Sequence, residues 1–211
     1  MYKVNDQMEL MYCIKCGKTY PIKDYYFGCP ECRKRGESAS VSFRYKEKSF
    51  RPSPKKGMQR YGNHLPYVAF PTLGEGNTPV ISLANLAKHL GFKEVIVKNE
   101  FQNPTGSHKD RASSLIVARA LEAGKTTIVA ASSGNAGISL AAYAARAGLK
   151  CKIISFPTIN KAYKLAIEAT GAELITLERD CSTGDNRWDY MRQMVETYDW
   201  YPGTNYTSPP V

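Results

Sequence analysis

The sequence of 211 residues has no apolar run near the ~18 residues that cross a membrane, and residues 1–10 lack the apolar core of a signal peptide. These absences predict a cytoplasmic protein that does not enter a membrane. The chain also lacks the G-x-x-x-x-G-K-[ST] phosphate loop, and Gly134 and Gly137 do not complete a dinucleotide fingerprint. Neither nucleotide motif therefore accounts for its function.

Acidic side chains are scarce: 19 Asp and Glu stand against 29 Lys and Arg, which gives a net charge of +10. Residues 1–66 hold fourteen of the basic side chains and six of the acidic ones, so the excess lies in the N-terminal third. Such a segment can bind nucleic acid, contact an acidic surface or form a solvated arm. We favour the arm and predict no specific affinity for nucleic acid.

Four of the six cysteines form two close pairs in the pattern C-x2-C-x12-C-x2-C, at Cys13, Cys16, Cys29 and Cys32. Each pair can turn two thiolates toward one ion, and two pairs make a tetrahedral zinc site. Four protein ligands leave no open position, so we predict a structural zinc ribbon. Two disulfides are one alternative, which a cytosolic location disfavours. A redox pair is another, which the lack of a surrounding βαβ unit disfavours.

A polar turn at residues 103–107, Asn-Pro-Thr-Gly-Ser, runs directly into an apolar-periodic segment at residues 112–121. These residue types favour a tight turn and cap the helix that follows. Lys109 therefore falls in the first helical turn, where the positive end of the helix dipole disfavours a charged amine. A neutral amine can react with a carbonyl group. An exposed lysine at a helix start is the ordinary alternative.

A second motif joins a strand, a turn and a helix. Residues 128–131 form a short apolar strand, residues 132–137 (Ser-Ser-Gly-Asn-Ala-Gly) form the turn, and an Ala-rich helix follows. The unpaired N–H groups at such a helix start bind anions.

Strands alternate with helices through the rest of the chain, which implies right-handed crossovers and a parallel sheet. Ligands of open α/β sheets bind at the carboxyl ends of the strands, so we predict that the turns at Lys109 and at residues 132–137 converge. The predicted strands are 95–97, 127–131, 151–156 and 173–177, and the predicted helices are one from Ser82 as N-cap to near Gly91, 109–123, 135–147, 160–170 and 185–198.

The order of these motifs resembles the fold-type II pyridoxal-phosphate (PLP) enzymes, and most of all their threonine synthase-like branch. The resemblance covers residues 71–211 and implies a parallel three-layer α/β sheet of the tryptophan synthase β type. It is carried by the segments 72–79 (TLGEGNTP), 98–100 (KNE), 103–111 (NPTGSHKDR) and 132–135 (SSGN).

The resemblance implies a role for individual residues. Lys109 would form the Schiff base with PLP and later move protons on the substrate. Asn135 would hold the 3′-oxygen of the cofactor ring. The substrate carboxylate would be bound by the turn residues Ser132, Ser133, Gly134 and Ala136.

In threonine synthases, which are carbon–oxygen lyases, phosphate leaves Cγ of O-phosphohomoserine and water adds at Cβ to give threonine. The family residues that bind the substrate phosphate match Asn186, Arg192 and Asn205, and the fork of an arginine suits a phosphate. A solvent-facing helix charge is the alternative for Arg192.

Three positions depart from the family pattern. His108 stands where Phe is common, and Ser133 and Ala136 stand where threonine synthases usually have Thr. The lost hydroxyl at Ala136 leaves cysteate synthase-like and serine/threonine dehydratase-like reactions open.

The family's glycine-rich loop for the PLP phosphate lies beyond residue 211. We therefore expect activity to require a C-terminal half from a cleaved piece or a second polypeptide, and we expect a homo-oligomer. An inactive scaffold or a nucleic-acid-binding zinc-ribbon module is the alternative of another class. The predicted units are a zinc-ribbon-like extension (1–45), a basic linker (46–70), the lysine-bearing part of the PLP large domain (71–125) and a small α/β domain (126–211).

Overall fold

A computed structural model of the chain describes residues 2–49, 51–179 and 185–204. Its first elements are β1 (Lys3–Val4), β2 (Met8–Cys13), β3 (Thr19–Tyr20), α1 (Pro30–Lys34) and β4 (Val41–Tyr45). Strands β3, β2 and β4 form an antiparallel sheet in that order. The first cysteine pair lies at the end of β2 and in the turn that follows it, and the second lies at the start of α1.

The linker predicted at residues 46–70 contains regular structure. It holds a 3-10 helix, Gly57–His64, and the strand β5 (Tyr67–Ala69), which pairs antiparallel with β1. Met58 and Tyr67 pack in one cluster with Leu115 of the later core. This stretch is therefore docked on the protein body, and the boundaries at 45 and 70 stay a prediction.

The next elements are β6 (Val80–Ser82), α2 (Ala84–Leu90) and β7 (Ile96–Lys98). β6 and β7 pair antiparallel, and among the described residues they join no other strand. The strand predicted at 95–97 thus exists but lies outside the parallel sheet. The prediction of Ser82 as N-cap is wrong, because Ser82 ends β6 and Leu83 is the cap. The helix ends at Gly91, whose φ of 73° suits glycine.

The main sheet has four parallel strands with helices between them. Its elements are α3 (Lys109–Glu122), β8 (Thr127–Ala131), α4 (Asn135–Ala147), β9 (Lys150–Ser155), α5 (Lys161–Glu168), β10 (Glu173–Thr176), α6 (Arg187–Tyr198) and β11 (Tyr201–Pro202). The strand order is β10-β9-β8-β11. Seven of these eight elements lie within two residues of their predicted bounds, and β11 was not predicted.

Side-chain alternation along β8 and β9 divides the core between the two faces of the sheet. Ile128 and Ile153 pack in the cluster that includes residues of α3, α4 and α5. Val129 and Ile154 pack in the cluster of Met191 on α6. The sheet is thus covered on both faces, and the predicted α/β class with a parallel sheet is confirmed. Within the described ranges, no helix has the length and apolarity to cross a bilayer.

Candidate active site

A cavity of about 330 Å³ lies at the carboxyl ends of β8 and β11. It brings together four of the predicted site residues, namely Lys109, Ser132, Ser133 and Ala136. The other lining residues are Ser113, Ile116, Ala130, Ala131, Arg187, Trp188, Gly203 and Thr204. The two predicted turns therefore face one cavity.

The helix start that carries Lys109 is fixed by the buried carboxylate of the next residue, Asp110. This carboxylate accepts hydrogen bonds from the Thr105 N–H at 2.7 Å and from the Ser139 hydroxyl at 2.6 Å. The first bond closes the turn before α3, and the second joins α3 to α4. The Ser139 hydroxyl also bonds that of Ser113 at 2.7 Å, so the network extends to the cavity wall.

An ion pair fixes the segment that leads to the lysine. The Arg111 guanidinium donates to both carboxylate oxygens of Glu100, at 2.7 and 2.8 Å, in a bidentate arrangement. Thr78 and Asn103 donate to the same carboxylate at 2.8 and 3.1 Å. The hydrogen bond from Arg111 is the largest influence on Glu100 and lowers its pKa to about 2. These contacts explain why the segments 98–100 and 103–111 occur together.

The turn after β8 is closed by Ser132. Its Oγ accepts the Gly137 N–H at 2.9 Å, and a Cβ at Gly137 would lie 3.1 Å from a methyl group of Ile153. The small residue thus lets the start of α4 pack against the sheet. Gly134 and Asn135 belong to the same turn but do not line the cavity.

Arg187 is a cavity residue that the sequence prediction missed. Asp185 accepts from its Nε at 2.7 Å, and its guanidinium carbon lies 4.2 Å from the centre of the Phe156 ring. The remaining nitrogen, Nη1, is buried and has no hydrogen-bond partner among the described residues. A buried guanidinium with an unpaired nitrogen at a cavity is suited to an anionic ligand.

The residues predicted to bind a second anion do not meet at this cavity. The Asn186 side-chain amide donates to the Glu178 carbonyl at 3.0 Å. Arg192 is exposed, pairs with Asp189 at 3.3 Å and lies 5.5 Å from the Phe27 ring of the ribbon. Asn205 lies outside the described residues.

The four cysteines of the ribbon form one cluster, in which all Sγ atoms lie within 4.8 Å of one another. The Sγ atoms of Cys13 and Cys32 lie 3.7 Å apart, and so do those of Cys16 and Cys29. In a tetrahedron with Zn–S bonds of about 2.3 Å, neighbouring sulfurs lie about 3.8 Å apart. The distances thus fit a four-coordinate metal. They are too long for a disulfide between Cys13 and Cys32 or between Cys16 and Cys29.

The polar contacts of the cluster favour a thiolate at Cys29, whereas burial, followed by hydrogen bonds with the other three cysteines, raises the pKa of the Cys32 thiol to about 12. The Cys16 N–H donates to Cys13 Sγ at 3.3 Å, as knuckle amides do. Burial alone raises the pKa of the Cys29 thiol, but hydrogen bonds from the Tyr20 hydroxyl and the Cys32 N–H outweigh burial and lower it to about 6. Thiolates are the form that binds zinc.

The cavity also fits PLP in its donor chemistry. Its volume is at the lower end of the range for small-molecule sites. It offers the Lys109 amine for a carbonyl group, the α4 N-terminus and the Arg187 guanidinium for anions, and an apolar wall that includes Ile116 and Trp188.

Comparisons with known proteins show the family of the chain. The sequence profile described as "Pyridoxal-phosphate dependent enzyme" matches residues 71–211. The chain therefore belongs to the pyridoxal-phosphate-dependent enzyme family. Within it, the chain is similar to the threonine synthase of Methanocaldococcus jannaschii, with 42% identity over 89% of this chain and 47% of that protein. It is also 42% identical to the threonine synthase of Halalkalibacterium halodurans, over 66% of this chain and 39% of that protein.

Solved structures place the fold in the same family. An O-ureido-L-serine synthase superposes with a TM-score of 0.52 and 31% identity, over 60% of this chain and 40% of its own. The cysteine synthase of Entamoeba histolytica gives a TM-score of 0.54 and 29% identity, over 60% of this chain and 39% of its own. These are fold-type II PLP enzymes, which confirms the predicted resemblance. The chain spans about half the length of the curated relatives it matches.

Proposed function

We propose that the chain supplies the lysine-bearing part of a PLP-dependent lyase of the threonine synthase type. The proposed reaction converts O-phosphohomoserine and water to threonine and phosphate. The observation that carries the proposal is the presence of two functional groups at one cavity: the Lys109 amine at the start of α3, and the Arg187 guanidinium, whose Nη1 has no hydrogen-bond partner among the described residues. The similarity to threonine synthases supports the substrate class.

Each cavity residue has a role in this proposal. Bound PLP supplies an electron sink for the charge that develops at Cα of an amino acid. Lys109 would attach the cofactor through Nζ and afterwards move the proton at Cα. The Ser132 and Ser133 hydroxyls and the first amides of α4 would hold the substrate carboxylate. Arg187 would hold the phosphate through Nη1.

The turn residues outside the cavity keep their predicted roles within this proposal. Asn135 would contact the 3′-oxygen of the cofactor ring, and Gly134 would offer its backbone N–H to the substrate carboxylate. Asn186, Arg192 and Asn205 stay candidates for the phosphate. We prefer Arg187 to Arg192 because Arg192 lies against the ribbon.

We further propose that the four-cysteine cluster holds one structural zinc. All four positions of a tetrahedral site are filled by protein sulfur, so no position is left for a substrate. We expect a cytoplasmic location and a homo-oligomer. We also expect that turnover requires residues equivalent to the second half of the relatives.

The first test locates the lysine. The chain is incubated with PLP, reduced with borohydride and digested, and the peptides are mapped by mass spectrometry. We expect the label on the peptide that contains Lys109, and its loss in Lys109→Ala. Lys125→Ala is the matched control because Lys125 follows the other end of the same helix. A label on another lysine would remove Lys109 from its role.

The second test separates the substrate classes. The chain is co-expressed with the second half of the Methanocaldococcus relative, and phosphate release from O-phosphohomoserine is compared with keto-acid release from threonine and serine. Arg187→Gln should lower the first activity about 100-fold, and Arg192→Gln should leave it nearly unchanged. Keto-acid release alone would favour the dehydratase. Equal losses in both variants would refute the assignment to Arg187.

A further inference from the structure

A loop of the zinc ribbon inserts into the body of the protein. Tyr26 lies between the cysteine pairs, yet its ring packs against the largest core cluster. It meets the Tyr201 ring edge-on, with centroids 5.5 Å apart and planes at 86°. The ribbon thus shares apolar surface with β11.

A charged contact lies beside this ring pair. Asp24 Oδ1 accepts from Arg119 Nε at 2.8 Å and from the Tyr201 hydroxyl at 3.2 Å, and Oδ2 accepts from the Tyr26 hydroxyl at 3.3 Å. The Arg119 and Asp24 side chains are only 12% and 19% exposed, so the pair is largely shielded from solvent. One ribbon carboxylate therefore joins α3, the helix of Lys109, to β11.

Strand β11 connects the ribbon contact to the cavity. It has two residues and, among the strands that the structure describes, lies at the edge of the sheet beside β8. Tyr201 of this strand is 1% exposed. The residues that follow, Gly203 and Thr204, line the cavity, and the Gly203 N–H donates to the Val129 carbonyl at 2.8 Å.

We infer that Asp24 and Tyr26 are positioning residues, through which the zinc ribbon holds the cavity wall at residues 201–204. A contiguous path runs from the Asp24 carboxylate through the Tyr201 hydroxyl and the β11 backbone to the cavity wall. Loosening of the ribbon loop is transmitted to the cavity, although no ribbon residue lines it. The ribbon is in this sense part of the site.

Hydrogen exchange measures the local stability of the cavity wall directly. Backbone exchange of the full chain, purified with its metal, is followed by mass spectrometry on peptides covering residues 199–204 and 127–131. In Asp24→Asn we expect exchange in 199–204 to be about tenfold faster, because the hydrogen bonds from Arg119 and from the Tyr201 hydroxyl lose their charged acceptor. The peptide of β8 should change less.

Two further variants separate positioning from general loss of stability. Tyr201→Phe removes only the hydroxyl and keeps the ring, and it should reproduce much of the effect. Asp24→Asn should then accelerate exchange in 199–204 less in the Tyr201→Phe variant than in the parent chain. Glu31→Gln is the control, because Glu31 pairs with Lys18 and Lys34 on the exposed side of the ribbon.

Faster exchange confined to 199–204 in the first two variants, with coupling between them, supports the inference. Unchanged exchange there overturns it. Uniformly faster exchange across the sheet, or an equal effect of Glu31→Gln, also overturns it. The experiment does not depend on turnover, so failure of the proposed reaction is recognised separately.

Discussion

The ion pair between Glu100 and Arg111 is predicted to stabilise the segment that carries the reactive lysine. Glu100→Gln keeps the size of the side chain and removes its charge. The Arg111 guanidinium then loses its bidentate partner, and the hydrogen bond from Thr78 loses a charged acceptor. Because these bonds join the residues before β6 and after β7 to the first turn of α3, we expect the loss to reach Lys109.

The size of the effect follows from the pKa of Glu100. A fall from 4.5 to about 2, caused first by the hydrogen bond from Arg111, corresponds to roughly 3 kcal/mol at 1.36 kcal/mol per unit. Both side chains are 27% exposed, so solvent screening lowers the expected contribution. We expect Glu100→Gln to lower the free energy of unfolding by about 1–2 kcal/mol at pH 7.

The pH dependence has a definite direction. The folded state favours the ionised carboxylate, so its contribution is complete above about pH 4.5 and is lost as the pH falls through about 2. Urea unfolding of both proteins from pH 7 to pH 2 should show a difference that shrinks in this window. Glu168→Gln is the control, since Glu168 forms an exposed helix pair with Lys164 at 3.9 Å. A difference independent of pH, or equal in the control, would refute the reasoning.

Three further outcomes are expected. Metal analysis of the chain, purified without chelator, should find one zinc per chain, and a value far below one would contradict the ribbon site. Gly203→Ala should lower the free energy of unfolding by about 1–3 kcal/mol, because the added Cβ would lie 2.5 Å from a methyl group of Leu140. An unchanged melting temperature would count against this packing. Mobility assays at physiological salt should show nucleic-acid binding no tighter than ~10⁻⁶ M, and tighter binding would revive the nucleic-acid alternative.

Features encoded within short segments were predictable from the sequence. The turn before Lys109 and the turn at residues 132–137 each contain a glycine and small polar residues directly before a helix. The predicted capping is wrong in detail, because the N-caps are His108 and Gly134 and neither makes a side-chain cap hydrogen bond. The cysteine spacing likewise defines a cluster without knowledge of the rest of the chain. Local turn chemistry is sufficient in such cases. The bounds of α3, β8 and α4 were therefore predicted to within one residue.

Features that depend on distant contacts were not predictable. β11 has two residues, one of them Pro202, so its own pattern is too short to indicate a strand. It pairs with β8, some seventy positions earlier, and Asp24 contacts it from nearly the other end of the chain. β7 is a similar case, because a three-residue segment cannot show which sheet it joins.

The choice between Arg192 and Arg187 depends on contacts that the sequence does not show. The two positions differ by five residues, which rotates their side chains by about 140° around a helix. The apolar residues Trp188, Met191 and Val195 lie in one core cluster. Arg187 precedes Met191 by four residues and Arg192 follows Trp188 by four, so the two arginines flank this apolar stripe on opposite sides. The packing of α6 decides which side faces the site, because Arg187 lines the cavity whereas Arg192 lies 5.5 Å from the Phe27 ring of the ribbon.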